Sequence, residues 1–204
     1  MRKFLIINWF LAAAFILSSC TKKDDVILIG EYGSLTGDDA TFGISTNKGI
    51  KMAFDEINAK GGIKGKKIKL LTEDNQGKNE ETAKVVNRLI TQDKIVALIG
   101  EVASARSLIA APIAQKYGIP MVSPSSTNPE VTKKGDNIFR VCFIDPFQGL
   151  VMAKFAIENL KVKKAAIFRK NGDAYSEGLA DVFATEFKKM GGEIVKDIQY
   201  QPKD

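Results

Sequence analysis

Short runs of apolar residues alternate along this chain with longer segments in which apolar residues recur at the spacing of a helix. Most of the runs are rich in Ile, Val and Leu, as strands buried on both faces of a parallel sheet are. Alternation of this kind is typical of βαβ units, in which a helix follows each strand. Strands are therefore predicted at residues 26–32, 68–72, 95–100, 119–123, 138–143, 165–169 and 194–200.

The segments between the runs predict five helices, each with one apolar stripe. Apolar residues separated by three or four positions lie on one face of a helix, and that face is expected to be buried. From the amino end, the stripes consist of Ile50, Ala53, Phe54 and Ile57; of Ala83, Val86, Leu89 and Ile90; of Leu108, Ala111 and Ala114, a weaker stripe that also includes the polar Gln115; of Leu150, Ala153, Ile157 and Leu160; and of Leu179, Val182, Phe183, Phe187 and Met190.

Two breaks in the alternation predict the domain organisation. Residues 123–136 predict a long loop, and a long ordered loop after a strand is more often functional than idle. Asp145-Pro146 follows the fifth predicted strand and predicts a crossing between two domains. Only two β/α repeats follow that crossing, fewer than a self-sufficient domain needs. We therefore expect a first domain at residues 26–144 and the beginning of a second at 145–204.

The first twenty residues predict an export signal. Two positive residues precede an apolar run at 4–17, which is too short to span a membrane comfortably. The run ends on Leu-Ser-Ser-Cys, which resembles the lipobox of bacterial lipoproteins, whose cysteine carries the lipid. We expect a lipoprotein signal peptide at 1–19, a lipidated Cys20 and a tether at 20–25. A plain signal peptide or membrane anchor with an incidental Cys20 is the alternative.

Composition and charge exclude several classes of function. The 204 residues are 45% hydrophobic and 26% charged, which is typical of a globular α/β protein. The net charge of +6 is spread along the chain, which argues against nucleic-acid binding. There is no His, which excludes Ser-His-Asp and Cys-His nucleophile systems and the usual zinc sites. If Cys20 carries lipid, Cys142 has no disulfide partner and is expected to be a small buried hydrophobe.

Nucleotide and metal chemistry find little support in the motifs. No G-x-G-x-x-G follows the first predicted strand, and residues 61–67 lack the spacing of a Walker motif. We therefore expect no cofactor and no metal. Glu73, Asp74 and Glu101 lie near predicted strand ends without a base or metal partner, so we expect them to be solvated or capping groups.

Two hydroxyl-rich loops follow neighbouring strands at their carboxyl ends, where open α/β sheets bind their ligands. Ser104 lies at or near the predicted amino end of a helix, whose free N–H groups and dipole favour an anion such as a carboxylate. Ser125, Ser126 and Thr127 in the next loop can complete a polar pocket. The alternative is that Ser104 only caps the helix and that the other three form a simple turn.

Several short segments occur together and in order from residue 26 to the end of the chain: 33–37 (GSLTG), 53–63 (AFDEINAKGGI), 99–100 (IG) with Ser104, 123–127 (SPSST), 139–140 (FR) and 175–178 (YSEG). In this order they resemble the branched-chain amino-acid-binding proteins of ABC transporters. The resemblance implies the type I periplasmic-binding-protein fold, an α/β fold with parallel sheets, flanking helices and two lobes that close on a ligand. This chain would supply most of the first lobe and an incomplete second lobe.

The resemblance also implies individual roles for the hydroxyl-bearing residues. Ser104 resembles the serine that binds the ligand α-carboxylate through its hydroxyl and backbone N–H. Ser125 and Ser126 resemble a pair whose backbone atoms contact polar groups of the ligand. Thr127 resembles the threonine that contacts the amino and carboxylate ends of the ligand.

Two aromatic residues and one missing acid complete this comparison. Phe42 resembles an aromatic residue that lies against the ligand in the first lobe, and Tyr175 resembles one that closes from the second. The family's acidic residue that pairs with the ligand ammonium would fall beyond Asp204, as would the returning hinge strands. The chain is therefore expected to be the amino-terminal part of such a protein.

The function expected from the sequence is that of an extracytoplasmic solute-binding lipoprotein. It would capture a small amino acid, in particular a branched-chain one, for an ABC permease, and it would not be an enzyme. It would be anchored to a bacterial membrane through Cys20. The alternatives are an amide-sensing or other ligand-sensing relative of the same fold, a Rossmann-type enzyme, or an inactive truncated remnant.

Overall fold

Strands and helices alternate along the protein in the computed structural model, which describes residues 26–201. In chain order they are β1 (Ile27–Gly33), α1 (Ala40–Ala59), β2 (Ile68–Asp74), α2 (Asn79–Thr91), β3 (Ala97–Ile99), α3 (Ser104–Lys116), β4 (Met121–Ser123), β5 (Ile138–Arg140), α4 (Asp145–Lys154), β6 (Lys164–Lys170), α5 (Ala174–Lys189) and β7 (Glu193–Tyr200). A 3-10 helix at Pro129–Lys134 lies between β4 and β5, and a π-helical turn at Phe155–Asn159 follows α4. All seven predicted strands are present among the described residues.

The strands form two parallel sheets. Five of them make one sheet in the order β2-β1-β3-β4-β5, and β6 pairs with β7 in the other. Every pairing is parallel, so the carboxyl ends of β1 to β5 lie at one edge of the larger sheet. The chain leaves the first sheet after Arg140 and enters the second at Lys164. The predicted α/β class with parallel sheets and flanking helices is confirmed.

The main core lies between the larger sheet and helices α2 and α3. Val86 and Leu89 of α2 are fully buried, as the apolar stripe of this helix predicts. Ala111 and Ala114 of α3 are also fully buried, and their small side chains let this helix lie close to its neighbours. Burial of one Val or Leu side chain contributes about 1.5–3 kcal/mol to the stability of the fold. The packing of α2 and α3 on the larger sheet therefore stabilises the sheet whose loops form the candidate site.

The predicted stripes of α1 and α4 are buried only in part. On α1, Phe54 is buried, whereas Ala53 and Ile57 are exposed. On α4, Ala153 is buried, whereas Leu150 is exposed. Apolar spacing shows which face of a helix can be buried, but burial also needs a neighbouring element, and the described residues give these two faces no complete cover.

Helix α4 begins before its apolar stripe. The sequence predicts a crossing between two domains at Asp145-Pro146, and in the structure these residues form the first turn of α4. A proline is tolerated there because the N–H that it lacks would have no partner in the helix. Gly149 lets α4 pack closely on α5, because a Cβ at this position would lie 2.6 Å from Cγ1 of Val182.

Candidate functional site

A cleft of about 580 Å³ lies between the loop edge of the larger sheet and the unit that contains β6, α5 and β7. Its size is that of a small-molecule site. The structure brings five of the six sequence-predicted site residues to the walls of this cleft: Phe42, Ser104, Ser125, Thr127 and Tyr175.

Ser104 is the first residue of α3 and is only 2% exposed. The N-cap of the helix is Ala103, and no side chain caps the helix. The Ser104 hydroxyl instead accepts a hydrogen bond of 3.2 Å from the backbone N–H of Asn128. The alternative that Ser104 merely caps α3 is therefore wrong. The first turn of α3 also contains no acidic side chain.

Ser126 does not line the cleft but lies behind it, fully buried. Its Oγ is 2.8 Å from Oγ of Ser107, and it donates a hydrogen bond of 2.9 Å to the carbonyl oxygen of Glu101. The Ser126 backbone N–H donates to Oγ of Ser123 at 3.0 Å. The loop after β4 is thus bonded to the loop after β3, and the side chain of Ser126 is used in holding the two together.

Glu101 is buried rather than solvated, with 1% of its surface exposed, and it accepts a hydrogen bond of 3.2 Å from the Val102 backbone N–H, as a capping group does. Its carboxylate accepts hydrogen bonds from Nδ2 of Asn75 at 2.5 Å and from Oγ of Ser34 at 3.2 Å. Nε of Arg106 lies 3.5 Å from the same carboxylate. This carboxylate therefore joins the loops that follow β1, β2 and β3 at the base of the cleft.

Arg106 extends this connection to the first turn before α1. It is buried, forms an ion pair with Asp39 and donates a hydrogen bond of 3.1 Å to the carbonyl of Gly77. Asp39 and Arg106 both line the cleft, beside Phe42 of α1. The sequence does not indicate this role, because Arg106 follows Ser104 in a segment that carries no charge pattern of its own.

The other two carboxylates considered above lie at the carboxyl end of β2, and of these Asp74 is a capping group, as expected. Glu73 forms an ion pair with Arg88 of α2. Asp74 accepts hydrogen bonds from the backbone N–H of Leu35 at 2.9 Å and from that of Gln76 at 2.8 Å. It therefore acts as a capping group for the loops that follow β1 and β2.

Arg140, the last residue of β5, holds the loop that carries Ser125 to Asn128. Its guanidinium donates to the carbonyl of Ser126 at 2.9 Å and to that of Asn128 at 2.6 Å. It also donates to Oγ1 of Thr132 at 2.7 Å. A charged donor with several fixed carbonyl acceptors stabilises one loop conformation, and that conformation presents Ser125 and Thr127 to the cleft.

The second wall of the cleft comes from the amino end of α5. Asp173 caps this helix by accepting a hydrogen bond of 2.8 Å from the Ser176 N–H. Tyr175 is 39% exposed, and its hydroxyl lies 3.4 Å from Nε2 of Gln148 on α4. Across the cleft, the Asn128 side chain donates a hydrogen bond of 2.8 Å to the carbonyl of Ala174, so the two units are in contact, with an aromatic side chain on each wall of the cleft.

Residues 26–204 match the periplasmic binding protein family. The chain belongs to this family. It is 36% identical over 192 residues to an amino acid binding protein of Pseudomonas aeruginosa, a match that covers 94% of this chain and 50% of that protein. It is 36% identical over 166 residues to Leu/Ile/Val-binding protein homolog 3 of Brucella melitensis, covering 81% of this chain and 45% of that one.

Solved structures of periplasmic binding proteins show the same fold. The leucine binding protein LivK of Thermotoga maritima superposes with a TM-score of 0.83 at 39% identity, over 87% of this chain and 50% of that one. LivJ of Streptococcus pneumoniae in complex with isoleucine gives 0.83 at 37%, over 88% and 51%. A solute binding protein of Rhodopseudomonas palustris in complex with 3,4-dihydroxybenzoic acid gives 0.79 at 25%, over 87% and 48%.

These matches confirm the predicted resemblance to branched-chain amino-acid-binding proteins and the type I fold. The chain spans about half the length of the relatives it matches. The predicted signal peptide at 1–19, the tether at 20–25 and the lipidation of Cys20 lie outside the described residues.

The described part of this periplasmic binding protein contains no helix that is both long and apolar enough to cross a membrane. Residues 26–201 also contain no cluster of three or more metal-ligating side chains. Cys142 is a free thiol that is half-buried rather than fully buried, contrary to expectation. Its Sγ donates to the carbonyl of Ser126 at 3.6 Å.

Proposed function

We propose that this protein is a solute-binding protein that captures a small amino acid, in particular a branched-chain one, in the cleft and hands it to an ABC permease. Relatives described as amino acid binding and Leu/Ile/Val-binding proteins support this proposal. So does the solved complex of LivJ with isoleucine. The relatives are binding proteins rather than enzymes, and no bond of the ligand would be made or broken.

The observation that carries the proposal is the uncapped amino end of α3 beside aromatic walls. The free N–H groups of that helix and the Ser104 hydroxyl would hold the ligand carboxylate. Phe42, Phe143 and Tyr175 also line the cleft and would contact an apolar side chain. A zwitterion with an aliphatic side chain matches both features, because its charged end and its apolar end need different surroundings.

Binding would proceed by closure of one unit on the other. In this proposal residues 26–144 form the first lobe, which receives the ligand, and the chain from 145 onward begins the second lobe, which closes over it. Closure would remove water from the carboxylate and strengthen its hydrogen bonds. The contact between Gln148 and Tyr175 lies on the closing side.

The proposal includes the expected location. Cys20 would carry a lipid and anchor the protein to a bacterial membrane, in the periplasm or at the cell surface, where solutes to be imported are captured. Residues 20–25 would form a short polar tether that keeps the cleft close to the permease. No nucleic acid and no cofactor takes part in this function.

The test is isothermal titration calorimetry on the native protein, extracted from the membranes of the organism that makes it. The panel contains L-leucine, L-isoleucine, L-valine, other amino acids, acetamide, urea and 3,4-dihydroxybenzoate. Saturable binding of at least one branched-chain amino acid is the expected result. Binding of amides alone would indicate a sensory relative instead, and absence of binding to any amino acid would contradict the proposal.

A further inference from the structure

A buried carboxylate lies directly behind the cleft residue Thr127. Asp145, the first residue of α4, is fully buried, and its backbone N–H donates a hydrogen bond of 3.0 Å to the carbonyl of Thr127. Thr127 lines the cleft and is only 7% exposed. Within residues 26–201, neither the Thr127 hydroxyl nor the Asp145 carboxylate completes a hydrogen bond of normal geometry. Buried polar groups without partners are rare and need an explanation.

The surroundings of Asp145 leave its charge largely uncompensated. Burial raises the pKa of this carboxyl, and the neighbouring Thr127 hydroxyl and the Arg140 charge offset the increase only in part. Burial also raises the pKa of the Cys142 thiol, so that group is neutral beside it. The element packed against it from the second unit presents Gly178, where a Cβ would lie 3.5 Å from Oδ2 of Asp145.

The charged groups at the start of α5 are already engaged. Glu177 accepts a hydrogen bond of 2.7 Å from the N–H of Gly172, and Asp173 accepts one from the N–H of Ser176. Neither carboxylate is bonded to Asp145 or Thr127. The charge that acts on Asp145 from its surroundings is therefore that of Arg140, on the neighbouring strand β5.

We propose that Asp145 is a positioning residue: its carboxylate accepts a hydrogen bond from the Thr127 hydroxyl, so that the lone pairs of the Thr127 oxygen accept a hydrogen bond from the ammonium of the ligand. This inference rests on the proposed function. It means that Asp145, which does not line the cleft, helps to select ligands that carry an ammonium. The chemistry follows from the hydroxyl, which has one proton to donate and two lone pairs to offer. An ionised carboxylate only accepts, and so it fixes which way that proton points.

The position of Thr127 suits this role. The Asn128 N–H donates to Oγ of Ser104, so Thr127 lies next to the residue proposed to hold the ligand carboxylate. In an α-amino acid the ammonium and the carboxylate are attached to the same carbon, so a ligand held at Ser104 brings its ammonium towards Thr127. The two carboxylates that line the cleft, those of Asp39 and Asp173, are bonded to Arg106 and to the Ser176 N–H.

Protonation of Asp145 would reverse the arrangement. A neutral carboxyl donates to the Thr127 oxygen, which turns the hydroxyl proton towards the cleft and against an ammonium. The affinity for an amino acid should therefore decrease as the pH is lowered towards the pKa of Asp145. Leucine keeps both its charges over the range from about pH 4 to pH 8, which lies above the ordinary pKa of an Asp side chain. A change of affinity in that range thus reports the protein.

The experiment measures L-leucine binding by calorimetry, from about pH 4 to pH 8, for the native protein, called the parent, and for four variants. These are Asp145→Asn, Thr127→Val, their double variant and Asp136→Asn. The last is a matched control, since Asp136 is exposed and precedes β5. We expect Asp145→Asn and Thr127→Val each to weaken binding about tenfold at neutral pH, as loss of one hydrogen bond to a charged group does. The double variant should be no weaker than Thr127→Val. The loss of affinity at low pH should be present in the parent and in Asp136→Asn and absent from Asp145→Asn.

The results separate this inference from the proposed function. A parent that binds leucine with the same affinity at every pH, or single-variant losses that multiply in the double variant, would overturn the role of Asp145 and leave the function intact. A folded parent that binds no amino acid would overturn both. If Asp145→Asn does not fold, the parent and Thr127→Val are compared instead. The affinity for leucine should fall at low pH in the parent and stay constant in Thr127→Val, because the role of Asp145 acts through the hydroxyl. An equal fall in both would overturn that role.

Discussion

The side chain of Asn128 donates a hydrogen bond of 2.8 Å to the carbonyl oxygen of Ala174, the first residue of α5. The Oδ1 of the same side chain accepts from the N–H of Glu130 at 2.9 Å and caps the 3-10 helix that follows. The backbone N–H of Asn128 donates to Ser104. One residue thus joins the amino end of α3, the loop after β4 and the second unit.

Replacing Asn128 by Ser should separate these roles. A serine can still cap the 3-10 helix, but its short side chain cannot replace the 2.8 Å bond to the Ala174 carbonyl. We expect the free energy of unfolding to decrease by about 1 kcal/mol and the amides of residues 174–178 to exchange hydrogen faster. Hydrogen exchange read by mass spectrometry measures this. Asn79→Ser, at an exposed position of α2, is the control, and identical exchange in both variants would contradict the contact's importance.

Ser104→Ala should weaken binding of an amino acid about tenfold, because it removes the hydroxyl proposed to hold a charged carboxylate. The α3 backbone N–H groups remain, so binding should not be abolished. Calorimetric titration of L-leucine measures the change. Ser45→Ala on the exposed side of α1 removes a hydroxyl that bonds only to Thr41 O, and it should leave the affinity unchanged. Equal affinity of the Ser104 variant and the parent would contradict the assignment.

Glu101→Gln tests the junction at the base of the cleft. The substitution leaves the buried Arg106 with one charged partner instead of two and gives the Ser34 and Asn75 donors a weaker acceptor. We expect the free energy of unfolding, measured in urea, to decrease by about 2 kcal/mol. Glu80→Gln, which changes an exposed carboxylate in the first turn of α2, is the control. Equal urea midpoints for the two variants would show that this network contributes little.

Asp145 should make stability depend on pH in the direction opposite to that of most carboxylates. Its pKa in the folded protein is raised above the ordinary 3.8, so above that pH the folded state holds a proton more readily than the unfolded chain does. Its contribution to stability is therefore complete below the ordinary pKa and is lost as the pH rises through the raised one. Asp145→Asn should raise Tm at pH 7, by about 2–4 °C for each kcal/mol regained. A lower Tm, relative to Asp136→Asn, would mean that the carboxylate has a stabilising partner.

The proposed lipidation of Cys20 can be tested by measuring the intact mass of the native protein. Protein extracted from membranes should begin at Cys20 and carry added mass that corresponds to a lipid, and Cys20→Ala should lack both the lipid and membrane attachment. Cys142→Ser is a matched control, because it changes the free thiol of the described residues and should leave the lipid in place. An unmodified Cys20 in the membrane fraction would support the plain signal peptide or membrane anchor instead.

Local patterns predicted most of the secondary structure. The apolar run at 119–123 corresponds to β4, and the run at 165–169 to β6, because a short buried strand needs only consecutive apolar side chains. The start of α4 was not predicted, since a proline after an aspartate is equally suited to a turn and to the first turn of a helix. Whether an apolar stripe is buried, as on α2, or left exposed, as at Leu150 on α4, depends on neighbours that spacing does not reveal.

The candidate site divides in the same way. The sequence by itself determined the family, the α/β class and the order of the loops that carry Ser104 and Thr127, because motifs and hydrophobic periodicity are local properties of the chain. Only the tertiary structure decided that Glu101 is buried and that Asp145 lies behind Thr127. Partners such as Asp39 and Arg106 are 67 positions apart, and only the meeting of strand ends at one edge of a parallel sheet brings them together. The charge state and the hydrogen bonds of a buried side chain depend on the residues that the fold places around it, and these come from distant parts of the chain.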